Sequence, residues 1–188
     1  MTIRTRRLKR DYEKIAAELS TSEFVTIKAL AGDPPSHYEV TYRLNGLMWD
    51  EKHGAARPID EHVVDIFLPI GYPKQAPRCT MRTPIWHPNV GDYVCIGDFW
   101  SAGVALVDII AHIGDMIQYR SYNLKSPVNK DAAAWARRNE KSFPVGTRTI
   151  VPPADDSADA PLTIDLPAPR PDRDNLDISL GPIRDRQC

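Results

Sequence analysis

The chain has 188 residues, 42% of them hydrophobic, and its 24 Lys and Arg against 25 Asp and Glu leave a formal net charge of −1. That length suits one domain with an extension, and the balanced charge gives no basis for binding nucleic acid or a membrane surface. No apolar run reaches the ~18 residues that span a bilayer, and the first residues lack the apolar core of a signal peptide. Three scattered cysteines, Cys79, Cys95 and Cys188, fit a reducing cytoplasm better than a disulfide framework, so a cytoplasmic location is expected.

In chain order, Ile3–Leu19 is predicted as an amphipathic helix, because Leu8, Tyr12, Ile15, Ala16 and Leu19 recur at helical spacing. Arg4, Arg6, Arg7, Lys9 and Arg10 crowd its first half, where positive charge opposes the macrodipole. They form either a solvated face or a docking surface. Residues 24–31 alternate as a strand, 32–36 read as a turn, and 37–44 follow as a second strand. Asn45-Gly46 is a hairpin signal, with 47–49 beginning the return. Residues 50–61 read as polar and irregular, 63–68 as the third strand and 78–82 as the fourth. Short strands with tight turns predict an antiparallel meander, and its apolar face needs helices to cover it.

Residues 101–119 carry a broad apolar helical face, with Ser101 as the expected cap and His112 expected to be structural. Residues 120–129 read as a loop and 131–139 as a third helix anchored by Trp135. From Phe143 onward prolines interrupt nearly every possible element. The expected division is therefore a domain over 1–143 and a Pro-rich extended tail over 144–188. Residues 162–166 and 176–180 are strand-length pieces that either pair with a sheet edge or serve as plain linker, and Cys188 reads as incidental.

The chemistry concentrates between Gly71 and Trp100. A lone cysteine is more often a small buried hydrophobe than a nucleophile, and Cys79, inside an apparent strand, keeps that reading. Cys95 differs: it lies in a polar-flanked segment between Gly91 and Gly97, where glycine lets the backbone turn and approach another chain closely. That context favours a surface shelf. His87-Pro88-Asn89 precedes it. Asn beside a turn commonly caps backbone amides, yet its NH2 group can also donate to the oxyanion of an attacked thioester. The histidines show no protease-like signature around Cys95, so a cysteine hydrolase finds little support, and no metal-ligand cluster or cofactor motif is present.

Taken together, Tyr72-Pro73, Pro77, His87-Pro88-Asn89, Cys95 and Trp100, in this order, resemble the ubiquitin-conjugating enzyme family from about Arg7 to about Asn139. The resemblance implies an α+β fold of that family: an N-terminal helix, a four-stranded antiparallel meander, a long central helix and a C-terminal helix, followed by the tail. It implies that Cys95 accepts a ubiquitin-like C-terminus as a thioester and passes it to an amine. Asn89 would support the active-site loop or the oxyanion, with His87 beside it. Ser126, aligned through Ser126-Pro127-Val128-Asn129, would position or gate the acceptor. Tyr93, Asp98, Trp100, Tyr122 and Asn123 would contact the modifier or line the groove, although Tyr122 and Asn123 are equally readable as turn formers. Arg6, Arg7 and Arg10 would dock an activating enzyme. The implied partners are a ubiquitin-like protein, that enzyme and a target protein.

There are departures: Ala76 stands before Pro77, and the intervals from Asn89 to Cys95 and from Cys95 to Trp100 are shorter than in the eukaryotic enzymes. In this the chain resembles compact bacterial relatives encoded beside an activating enzyme, a ubiquitin-like protein and a peptidase, which implies a setting in antiviral defence. The competing reading is a non-catalytic binding module on the same fold.

Overall fold

The computed structural model describes residues 1–151. The strand-length pieces at 162–166 and 176–180, and Cys188, lie outside the described residues. Within them the chain forms α1 (Ile3–Leu19), six strands, β1 (Val25–Gly32), β2 (Pro35–Tyr42), β3 (Gly46–Asp50), β4 (Ala55–Ile59), β5 (His62–Phe67) and β6 (Arg78–Met81), then α2 (Leu106–Ile117) and α3 (Lys130–Ala136). β1, β2, β5 and β6 make an antiparallel sheet in that order, and β3 and β4 form a separate two-stranded sheet. The expected α+β architecture, with its N-terminal helix and four-stranded meander, is present.

Strand alternation sorts the sheet into two faces. Pairing sets Tyr38 opposite Ile66, Val40 opposite Val64 and Tyr42 opposite His62, and these residues are buried. The other face carries His37 and Arg82 on Asp65, at 2.7 and 3.3 Å. α2 covers the apolar face with Leu106, Ile109, Ile110, Ile113 and Ile117, all fully buried. Each such aliphatic contributes about 1.5–3 kcal/mol of transfer free energy, so this helix is the main buttress of the sheet. The Tyr42 hydroxyl donates to the Ile110 carbonyl at 3.1 Å and locks the two together.

α1 is capped by Thr2, whose hydroxyl accepts from the Thr5 N–H at 3.1 Å. Its inward stripe is Leu8, Ile15 and Leu19 with Arg7 and Asp11, while Tyr12 and Ala16, expected inside, are exposed. A buried ion pair has taken part of the stripe. Arg7 Nε donates to Asp11 Oδ2 at 2.8 Å, Nη1 to the Ala102 carbonyl at 2.6 Å, and Nη2 to the Val104 carbonyl. Asp11 also accepts from the Tyr72 hydroxyl and, at 3.3 Å, from the Leu106 N–H. Arg7 therefore does not stand on the surface as expected of a docking residue. Arg6 and Arg10 are exposed.

Three boundaries differ from expectation for identifiable reasons. Asn45-Gly46 makes no hairpin between β2 and β3. Gly46 instead opens β3 beside His62, where an added Cβ would lie 2.5 Å from the ring Nε2, so its glycine serves close approach. Residues 50–61 are not irregular: Ala55–Ile59 pairs with β3, from Asp50↔Ala55 to Gly46↔Ile59. β4 is largely open to solvent, and that erased the alternation a sequence reader relies on, whereas β3 is buried at Gly46 and Leu47. The central helix begins at Leu106, not Ser101, since the Asp108 carboxylate accepts from the Ala105 N–H at 3.1 Å and caps the helix there. Ser101 only closes a turn, its carbonyl accepting from Val104 N–H at 3.1 Å.

Residues 144–151, expected to open the tail, pack back onto the domain. Ile150 is buried and approaches Gly114 of α2 so closely that an added Cβ would sit 2.0 Å from its Cδ1. Gln118 Nε2 donates to the Arg148 carbonyl at 3.0 Å. No helix among the described residues is long and apolar enough to cross a membrane.

Candidate active site

β6 ends at Met81, and the chain then passes Trp86, which stacks on Trp49 of the β3–β4 arm with centroids 4.5 Å apart. His87 follows in full burial. Its Nδ1 accepts from the Asn89 N–H at 3.1 Å, and its ring meets Tyr119 edge-on at 4.8 Å. Burial pushes its pKa down to about 3 because the low-dielectric interior disfavours the cation. A neutral, enclosed imidazole is a strut for the turn, so His87 takes no catalytic place at the surface. Tyr119 holds a positive φ of 58° just past the end of α2, a conformation uncommon for a non-glycine residue. Its hydroxyl donates to the Trp86 carbonyl.

Asn89 is also buried, and its amide is fully engaged. Nδ2 donates to the carbonyls of Asn123 at 2.9 Å and Ser126 at 3.4 Å, while Oδ1 accepts from the Asn123 N–H at 2.6 Å. The Pro88 carbonyl accepts from both Val128 and Asn129 N–H groups at 2.9 Å. The turn at 87–91 is thereby stitched to the loop at 123–129. Gly91 permits the approach: a Cβ there would meet Val128 Cγ1 at 2.8 Å. Of the two roles the resemblance allows for Asn89, the geometry serves loop support. Both of its amide hydrogens face carbonyl oxygens, leaving no spare donor for an oxyanion.

Cys95 is set by three backbone contacts. Its N–H donates to the Asn89 carbonyl at 2.9 Å, Val94 N–H donates to Cys79 O at 2.8 Å, and Val94 bridges Val90. Gly97 follows with φ +56°, turning the chain into a 3₁₀ turn at Gly97–Phe99. The Cys95 side chain is half-buried and opens on a cleft of about 320 Å³. Cys79 behaves as expected of a structural thiol: it is buried in β6, and burial pushes its pKa up to about 12.

The cleft gathers Asn89, Cys95, Asp98, Tyr122, Asn123 and Ser126 from the expected set. Asn123 also forms its turn, with Oδ1 accepting from Lys125 N–H at 2.8 Å. Tyr93 is exposed but does not line the cleft, and Trp100 stacks on Tyr72 at 5.6 Å instead, as part of the core wall. Six lining residues were not in the expected set: Ile96 and Gly97, which adjoin Cys95 in the chain, and Phe99, His112, Met116 and Ser121. Helical spacing from the buried Ile109, Ile113 and Ile117 was the available signal for His112 and Met116, since i+3 and i+4 neighbours share a flank.

Residues 60–150 match the model of the ubiquitin-conjugating enzyme family. The similarity begins just before β5 and takes in the whole cleft, both of its walls and the returning segment to Ile150. It supports ubiquitin-like conjugating activity in general terms.

Proposed function

We propose that the chain is a thioester carrier of the ubiquitin-conjugating type. Cys95 takes a ubiquitin-like C-terminus from an activating enzyme and hands it to an amine, most simply a lysine, of a target protein. The observation that carries the reading is a half-buried sulfur opening on a cleft whose opposite wall is the Asn89-tied loop, inside the segment that matches the family. In loading, the Cys95 thiolate attacks the modifier's thioester carbon and the activating enzyme's thiolate leaves; the bond order is conserved and the acyl group stays energised. Thiolate is the attacking species, with an unperturbed thiol pKa near ~8.5. In discharge, a neutral amine attacks the same carbon and Cys95 Sγ departs with the electron pair. Asn89 keeps the loop in place, and Ser126 and Asn123 border the acceptor's path. Orientation can supply much of the remaining barrier reduction. Arg6 and Arg10, exposed on α1, remain candidates to meet an acidic activating enzyme. The short interval from Asn89 to Cys95 supports kinship with the compact bacterial conjugating proteins and, through them, a setting in antiviral defence.

The test is an adduct assay. The protein is incubated with a cognate activating enzyme, its ubiquitin-like protein and ATP, and resolved with and without reductant. The expected product is an adduct that reductant removes; Cys95→Ser should yield at most a slower, reductant-resistant ester. A binding module on this fold would yield no adduct from a partner shown to be active, and that result overturns the proposal.

A further inference from the structure

The carrier reading leaves one chemical demand unmet. A lysine side chain begins near pKa ~10.4 and arrives as an ammonium, which has no lone pair to attack with. Asn89 is occupied, His87 is walled in, and serine is a poor base. The cleft holds two further groups able to accept a proton, the Asp98 carboxylate and the His112 imidazole, and the imidazole is the stronger base of the two by its ordinary pKa.

His112 sits on α2, half-buried, and borders the same cleft as Cys95. Its ring lies flat on Phe99, centroids 4.0 Å apart and planes 3° from parallel, which fixes the imidazole plane. Among the described residues no hydrogen bond holds its ring nitrogens. We propose that His112 is the proton acceptor for the incoming ammonium, a role that rests on the carrier reading. The amine N–H bond breaks and its proton passes to a free imidazole nitrogen. The freed lone pair attacks the thioester carbon, and the C–S bond breaks toward Cys95 Sγ. The second amine proton and the imidazolium proton leave to solvent.

Electrostatics agree with the assignment. Burial lowers the His112 pKa, so the ring is neutral and able to accept at pH 7. The groups around it are Asp98 of the 3₁₀ turn, Cys95, Tyr122 of the loop, the buried neutral His87, and Asp115 on its own helix, which pairs with Arg120 at 3.4 Å. Asp98 carries no ion pair among the described residues and offers the ammonium a counter-charge. Removing water from the ammonium narrows the pKa gap that transfer must cross.

The experiment separates this step from loading. Full-length wild type, His112→Gln and His112→Phe are charged by the activating enzyme, freed of ATP, and chased with free lysine or with hydroxylamine. Phenylalanine preserves the stack on Phe99 without a nitrogen. Both variants should load normally and lose about 10²-fold in discharge to lysine at pH 7, the low end for general-base catalysis. The deficit should shrink as pH rises and solvent supplies free amine. Hydroxylamine, already neutral at pH 7, should discharge variants and wild type alike. Equal lysine discharge by the variants, or an equal loss toward hydroxylamine, overturns the role of His112 while leaving the carrier reading intact. Absence of any wild-type thioester instead overturns both.

Discussion

Replacing Asn89 by alanine removes three hydrogen bonds to the loop wall, those to Asn123 N, Asn123 O and Ser126 O at 2.6, 2.9 and 3.4 Å. Net worth per bond is about 0.5–1.5 kcal/mol, and the longest belongs at the low end. The loop therefore loses roughly 2–3 kcal/mol of closure, a factor of about 30–150 in its closed-to-open ratio. Because the bonds are local, the cost should appear first as loop opening rather than global unfolding. Hydrogen exchange reads this directly: the Asn123 amide should exchange faster by about that factor, while amides in β5 and α2 hold their protection. Asn89→Asp keeps the acceptor for Asn123 N–H but sets a carboxylate against two carbonyls, so it should rescue little. In the conjugation assay, Asn89→Ala should slow discharge more than loading, since of the cleft loading uses the sulfur alone while discharge also uses the wall. Wild-type exchange at Asn123 in the alanine variant refutes the stitching role outright.

Arg6→Glu with Arg10→Glu should slow charging of Cys95 and leave the melting temperature nearly unchanged, as both side chains are exposed; unaltered charging rejects α1 as the docking face. Arg7→Glu should instead unfold the domain more easily, because breaking a buried pair costs about 3–5 kcal/mol, or roughly 10 °C in thermal melts. Stability should also fall on acidification through two histidines. His62 and His87 are buried, and burial lowers their pKa values to about 4 and about 3. Between those values and the ordinary value near 6.5 the unfolded chain binds more protons than the folded one. Stability is thus fully present above pH ~6.5 and declines below it, with a limiting slope of about 1.4 kcal/mol per pH unit for each histidine. Urea unfolding at pH 7 and pH 5 checks this, and equal stabilities would contradict it.

The meander was legible because one face of the sheet is buried and the other wet, so alternation survives in the sequence of β2 and β5. Strand β4 was not, since residues largely open to solvent carry little pattern. The start of α2 was misplaced because a serine is the commoner cap, whereas here a carboxylate three positions into the helix does the capping. Arg7 shows a deeper limit: its four-residue spacing from Asp11 points to the pair, but nothing in a run of arginines tells that the pair is buried, which depends on carbonyls as distant as that of Val104. The cleft was readable near the cysteine, at Asn89, Cys95 and Asp98, and in the loop at Tyr122, Asn123 and the aligned Ser126. It was opaque at His112, whose place depends on how α2 lies against the 3₁₀ turn.

The meeting of Ile150 with Gly114 has a practical corollary. The isoleucine seats itself where any larger residue would collide, on the same helix that carries His112 and Met116 into the cleft. A chain cut at 143 loses that wedge together with the Gln118–Arg148 clasp, and the helix is then free to settle elsewhere. Shortened versions made for convenience should consequently be judged by how they discharge, not merely by whether they stay in solution.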